Sequence, residues 1–313
     1  AEEKIIYKAN NLQSSAYEIG DGNYTVAVIC QNHGDEKGPK RVFKELLEEG
    51  FAENYENLSL SFIPEANIFA SKECQRKTPR TYEKNRADQK DLNRSYNTAL
   101  KEMESENPDL SHLNLTQQAA FHILKYIDEL DPDLVLDMHT GTSGTVKMPQ
   151  VRYKYSENFP VSEGEMRNLA LNSGVDFIGG KGDYRNSEIM GAVMPKIGAP
   201  TLTIESGGGV ENGWSQSFGE KYAESYREII KNIFDYALEN KETEFKGREL
   251  SGIEKKHTPM DASEGKITYN FELSDKVEVG DEIAVLETEN GKFRFEASED
   301  GILETILTED MQD

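Results

Sequence analysis

An α/β fold with a mostly parallel sheet flanked by helices is predicted by two features of the chain. From residue 24 to about residue 240, short apolar β-rich runs alternate with stretches of helical periodicity, the pattern of crossover helices between parallel strands. Beyond residue 240 the chain turns to short strand-like runs punctuated by Gly and Asp, which predicts a smaller all-β barrel or sandwich. The length of 313 residues accommodates both, at roughly 150 residues per domain.

In chain order, residues 24–30 (YTVAVIC) form an uninterrupted apolar run of strand length. Gly38-Pro39 then opens a helix carrying Val42, Phe43, Leu46 and Leu47, with Pro suited to the first turn. Residues 58–63 (LSLSFI) read as a second strand, stopped by Pro64. Residues 116–130 read as a helix with Ala120, Ile123, Leu124 and Ile127 on one face and Thr116 as its N-cap. Residues 134–138 (LVLDM) and 200–204 (PTLTI) are the third and fourth strands. A long helix over 217–240 carries Tyr222, Ile229, Ile230, Ile233, Phe234 and Ala237.

Residues 64–114 break the pattern: the stretch is polar, rich in Lys, Arg, Asn and Glu, and too long for an ordinary connection, which marks it as functional or disordered, with residues 104–114 a mobile excursion. Residues 241–256 are charged and aperiodic and read as a linker, giving a first unit over 1–245 and a second over 253–313. The second contains two related segments, 261–267 (DASEGKI) and 296–302 (EASEDGI), as in a pseudo-symmetric β fold.

Thirty-five Lys and Arg against 58 Asp and Glu give a net charge of −23. That field repels phosphate backbones and anionic headgroups, so neither nucleic acid nor a membrane surface is an expected partner. No apolar run approaches the ~18 residues of a membrane span, and the opening AEEKIIYKANN lacks the layout of a signal peptide. Cys30 and Cys74 are too few for a disulfide framework, and a cytoplasmic protein with reduced thiols is expected.

The sharpest local feature is His33-Gly34-Asp35-Glu36, directly after the first strand. Loops leaving the carboxyl ends of strands build the sites of open α/β sheets, and a His and a Glu three positions apart there can turn toward one cation. Catalytic zinc commonly takes three protein ligands and a water, His2Glu among the known sets. The third candidate is His139, just past the third strand, with Asp137 two residues earlier able to orient its imidazole from behind. His112 and His122 lie outside these loops and read as core histidines. The fourth strand runs into Glu205-Ser206-Gly207-Gly208-Gly209, so Glu205 projects from the same sheet edge as a candidate base. Cations come from Arg86 and from Asn93-Arg94, which suit a carbonyl oxygen and a carboxylate.

Together these segments resemble the succinylglutamate desuccinylase/aspartoacylase family, within the zinc carboxypeptidase clan. The resemblance spans about residues 20–240, and its order is specific: HGDE, then Arg86 and DLNR, then DMHTG, then TIESGG. It implies a zinc carboxypeptidase-like sheet and one zinc ion per chain held by His33, Glu36 and His139. Glu205 would be the general base and proton shuttle, Arg86 would help polarise the substrate carbonyl, and Asn93 and Arg94 would hold a substrate carboxylate. The family's further carboxylate-binding residues have Arg152, Tyr184 and Arg185 as candidates, with no spacing that settles a correspondence.

The implied reaction is amide hydrolysis of a small N-acyl amino acid. A metallocarboxypeptidase acting on short peptides needs the same groups and is the nearest rival; a catalytically silent binding protein is the other. The net charge opposes long-range capture of an anionic substrate, so Arg86, Arg94 and the metal must attract it locally. The tail resembles the lipoyl/biotinyl-like barrel of some family members (VGDEIAVL, then ETENGKF), but Asn290 stands where the modified lysine would be. An unmodified barrel that packs on, shields or oligomerises the first unit is therefore expected.

Overall fold

The computed structural model describes residues 1–82, 91–141, 144–155, 159–179, 188–189, 193, 196–208, 219–250, 266–289 and 291–307. Arg86, Tyr184, Arg185, Asn290 and the first of the two related tail segments, apart from its last two residues, lie outside them.

The centre is a 10-stranded mixed sheet. Its strands are β1 (Glu2–Ala9), β2 (Leu12–Ile19), β3 (Tyr24–Cys30), β4 (Leu58–Ile63), β5 (Leu134–His139), β6 (Thr145–Arg152), β7 (Phe177–Gly179), β8 (Thr201–Gly208) and β9 (Arg248–Leu250). The order is β1-β2-β4-β3-β5-β8-β6-β7-β9, with the last described strand, β15 (Thr305–Leu307), added beside β6. The middle of the sheet, β4-β3-β5-β8, is parallel. β6 runs antiparallel to β8, and the N-terminal hairpin β1-β2 joins β4 antiparallel.

The described α-helices are α1 (Gly38–Glu48), α2 (Ile68–Lys72), α3 (Tyr96–Met103), α4 (Leu115–Leu130), α5 (Glu163–Leu171) and α6 (Glu220–Glu239). They cover both faces, and the strands between them are buried on both sides. Side chains alternate along β3: Val26, Val28 and Cys30 join α1, α5 and α6 in one core, while Ala27 and Ile29 join α2, α3 and α4 in the other. Each fully buried side chain such as Phe43 or Ile123 contributes about 1.5–3 kcal/mol of hydrophobic stabilisation. No described helix is long and apolar enough to cross a membrane.

The cap of α4 corrects the sequence reading. Asn114, not Thr116, is the N-cap: its side chain accepts from the Gln117 N–H while Gln117 reaches back to the Asn114 N–H. This reciprocal pair satisfies two of the donors a helix start leaves open, and Thr116 is buried one step inside the helix. The described parts of the 64–114 excursion carry more regular structure than its composition suggests, among them α2, α3 and short 3-10 turns at Leu92–Arg94 and Leu110–His112. His112 is on the surface beside Glu102, not in the core, on a turn with no buried residue. His122 is half-buried against Tyr7.

Beyond residue 265 the described tail forms two small antiparallel sheets. One is β10 (Lys266–Tyr269), β12 (Glu282–Thr288) and β13 (Gly291–Glu296); the other is β11 (Lys276–Val277) with β14 (Gly301–Ile302). β15 then leaves them for the central sheet.

Candidate metal centre

The topology places the centre. After β3 the chain crosses through α1 to β4 on one side, then returns through α4 to β5 on the other side of β3. Such a reversal opens a crevice at the carboxyl ends of the diverging strands. His33 leaves the end of β3, and His139 ends β5. β8 lies next to β5 in parallel register, with Glu205 opposite His139.

The loop after β3 is held in an unusual shape. Gln31 sits at φ +55°, a left-handed conformation that costs energy for a non-glycine residue. Its side chain donates to the Gly34 carbonyl at 3.0 Å and accepts from Ser71 at 3.2 Å. Gly34 packs so closely on α2 that a Cβ there would lie 2.0 Å from the Ala70 carbonyl carbon; only glycine fits. The Glu36 N–H donates back to the His33 carbonyl at 3.2 Å, so the turn points both side chains inward.

His33, Glu36 and His139 are all buried, and each offers a ligand atom within 4.8 Å of the others. Both histidines present Nδ1: His33 Nδ1 is 2.8 Å from Glu36 Oε1, and His139 Nδ1 is 2.7 Å from Glu36 Oε2. The opposite ring nitrogens face carboxylates. His33 Nε2 lies 3.2 Å from Asp91 Oδ1 and His139 Nε2 lies 2.9 Å from Asp137 Oδ2. A proton held on Nε2 by a carboxylate leaves the Nδ1 lone pair for a cation. Two imidazoles and a carboxylate converging in this way fit the His2Glu donor set of zinc.

Asp137 is fixed in turn: Asn32 Nδ2 donates to it at 2.7 Å, and Tyr96 OH donates to Asn32 Oδ1 at 2.8 Å. From below, Tyr226 on α6 donates its hydroxyl to the His139 carbonyl, and lies 3.1 Å from the Ile204 carbonyl oxygen.

The charges are interlocked. Burial alone would raise the Glu36 carboxyl, but the two facing imidazoles outweigh it and hold the group well below the usual carboxylate range. Burial favours neutral rings, yet Asp137 and Glu36 lift His139 well above its usual pKa, and Glu36 and Asp91 lift His33. Asp91 falls to about 2: burial pushes it up, but the bond from His33 and the nearby Arg76 pull it further down. A cation entering here must displace protons from these rings, so its binding weakens at acid pH.

Of the other anticipated residues, Glu205 is beside the cluster with its side chain only 13% exposed. Lys147 Nζ lies 3.1 Å from Glu205 Oε1, while the buried Oε2 has no hydrogen-bond partner among the described residues. Burial raises this carboxyl, but Lys147, Arg152 and His139 overcome that and keep it below the usual range. Asn93 is buried with Nδ2 3.2 Å from His139 Nε2 and Oδ1 accepting from the Ile189 N–H at 3.0 Å. Arg94 sits at the rim, paired with Glu188 at 3.2 Å, and Lys154 holds the same Glu188. Arg152 is engaged by Glu304.

The sequence reading missed Arg76. Its guanidinium donates to Glu36 Oε1 at 3.1 Å and lies 3.8 Å from Asp91, with a third of the side chain exposed. Arg76 follows Gln75, whose N–H bonds to the Ala70 carbonyl, so the packing of Gly34 on α2 brings it in. No spacing announces that.

A family model for the succinylglutamate desuccinylase/aspartoacylase catalytic domain matches residues 23–237. No curated protein matches the chain. Among solved structures, the product-bound ectoine utilization protein EutE (DoeB) from Ruegeria pomeroyi is similar at a TM-score of 0.71 and 18% identity, over 95% of this chain and 84% of that one. A succinylglutamate desuccinylase/aspartoacylase from Rhodobacter sphaeroides gives 0.68 and 16%, over 95% and 85%. The succinylglutamate desuccinylase from Chromobacterium violaceum gives 0.58 and 15%, over 90% and 86%. With the strand-end ligand cluster, the shared fold and a family match over most of its length, the chain belongs to the succinylglutamate desuccinylase/aspartoacylase family.

Proposed function

We propose that the protein is a zinc-dependent hydrolase that cleaves the amide bond of an N-acyl amino acid. The observation that carries this is a buried His33-Glu36-His139 cluster with the Glu205 carboxylate on the adjoining strand. Zinc bound there would supply Lewis acidity toward the scissile carbonyl oxygen and acidify water to a pKa of about 7.

Glu205 has one oxygen engaged by Lys147 and the other unengaged among the described residues. Its depressed pKa keeps it ionised at neutral pH, as a base must be. Oε2 takes the proton of the attacking water and then delivers it to the departing amine, so one carboxyl serves both half-reactions. Asp91 and Asp137 keep the two imidazoles oriented. Arg94, at the rim, takes the substrate carboxylate, which first has to displace Glu188 and orients the amide without touching it.

For the developing oxyanion the candidates are Arg86, which the family resemblance favours, and Arg76, which lies against Glu36 and still reaches solvent. Arg76→Ala is expected to lower kcat about 100- to 1000-fold with zinc retained, measured by steady-state kinetics beside metal analysis. A larger loss in Arg86→Ala than in Arg76→Ala would return that role to Arg86.

A substrate panel tests the reading as a whole. Purified protein with zinc is expected to release free amine from N-acetyl-L-aspartate, N-succinyl-L-glutamate or a related N-acyl amino acid. Release of C-terminal residues from short peptides, with all N-acyl amino acids inert, would make it a carboxypeptidase instead.

A further inference from the structure

The last described strand does not belong to the small sheets that precede it. β15 pairs antiparallel with β6, Thr305 opposite Lys147, Ile306 opposite Val146 and Leu307 opposite Thr145. The Met148 N–H donates to the Glu304 carbonyl at 3.1 Å, which seats the Glu304 side chain over the same strand. Its Oε1 accepts from Gln150 Nε2 at 3.0 Å, pairs with Arg152, and lies 3.7 Å from Lys147 Nζ. That ammonium also holds Glu205.

Lys147 therefore stands between two carboxylates, one on β8 beside the ligand cluster and one from the residue just before β15. Lys147, Glu205 and Glu304 are 15, 13 and 19% exposed. At such burial charges taken from water must be compensated locally. Removing the Glu304 charge would take from Lys147 one of the two carboxylates between which it stands, and from Arg152 the carboxylate that engages it. The lysine ammonium, on a flexible stem, would follow Glu205 and change the seat of the base.

We propose that Glu304 is a positioning residue for the hydrolysis. It anchors Lys147 and Arg152, so that Lys147 fixes one oxygen of Glu205 and leaves the other turned to the reacting water. The catalytic arrangement thus depends on a residue lying outside the 23–237 segment that carries the family match. This rests on the reading of Glu205 as the base.

The test uses the full-length, zinc-loaded chain with N-succinyl-L-glutamate and N-acetyl-L-aspartate. Glu304→Gln preserves shape and backbone pairing. It is expected to lower kcat about 10- to 100-fold, the scale of a misplaced catalytic group, with KM, zinc content and melting temperature near wild type. Glu304→Asp should recover part of the rate. In a Lys147→Met background, Glu304→Gln should add little further loss, since coupled residues are not additive. Wild-type kcat in Glu304→Gln, or full additivity with Lys147→Met, overturns the proposal. If Glu304→Gln melts early, Glu304→Asp carries the same cycle: suppression by Lys147→Met supports the proposal, and additivity refutes it. A dead Glu205→Gln beside a fully active Glu304→Gln refutes this inference alone, whereas an active Glu205→Gln removes the base on which it rests.

Discussion

Replacing Glu205 by Ala is expected to abolish measurable turnover while the protein keeps its zinc. General-base assistance contributes about 100- to 10,000-fold, and here the same carboxyl also protonates the leaving amine, so the loss should lie at the upper end. Glu205 is not a member of the ligand cluster: its neighbour across the strands is His139, and its bonded partner is Lys147. Metal content should therefore be that of wild type. Because Ala leaves Lys147 and Arg152 facing a missing charge, Glu205→Gln is the cleaner companion; it keeps volume and one acceptor but cannot take a proton. Steady-state kinetics on both variants, with zinc determined on the same samples, checks this. Rates near wild type would mean that another group is the base.

The second large effect belongs to the ligands. His139→Ala should lose both zinc and activity, because two remaining protein ligands fall short of the three a catalytic zinc site uses. The substitution also strips Asp137 of its imidazole partner and leaves Glu36 with His33 and Arg76. Chelator treatment of wild type should mimic the variant, and added zinc should restore only wild type. Asp137→Asn should fall between, with metal affinity down about 10- to 100-fold, since it alters the orientation of a ligand and not its presence. Zinc titration of the three proteins decides. Full zinc retention by His139→Ala would remove that residue from the centre.

The parallel middle of the sheet was legible because β3, β4, β5 and β8 are buried on both faces and so read as apolar runs. The ligands were legible for a related reason: each follows or ends one of those strands, where His33 and His139 break an apolar pattern. Asp137 followed from the two-residue period of β5, which puts it on the His139 side. What was missed lacks such a pattern. The β1-β2 hairpin buries few side chains, chiefly Tyr7, Ser14, Ser15 and Ala16, so it shows no apolar run. β6 contains Pro149, which argues against an interior strand; a register shift between Lys147 and Gln150 accommodates it.

Long-range polar contacts were the least visible. Arg76 reaches Glu36 because a glycine lets two backbones touch, and Glu304 reaches Gln150 across 154 residues of chain. Neither proximity is encoded in local spacing. The order of the motifs was enough to find the ligand cluster and Arg94 at its rim, but not Arg76.

Anomalous X-ray scattering at the zinc absorption edge, from crystals grown with zinc, probes the centre most directly. One ion per chain is expected, about 2.0–2.1 Å from Nδ1 of His33 and of His139 and about 2.0–2.2 Å from a Glu36 oxygen, with Glu205 close by but not coordinating. An ion bound to other side chains, or none at full zinc loading, would contradict it.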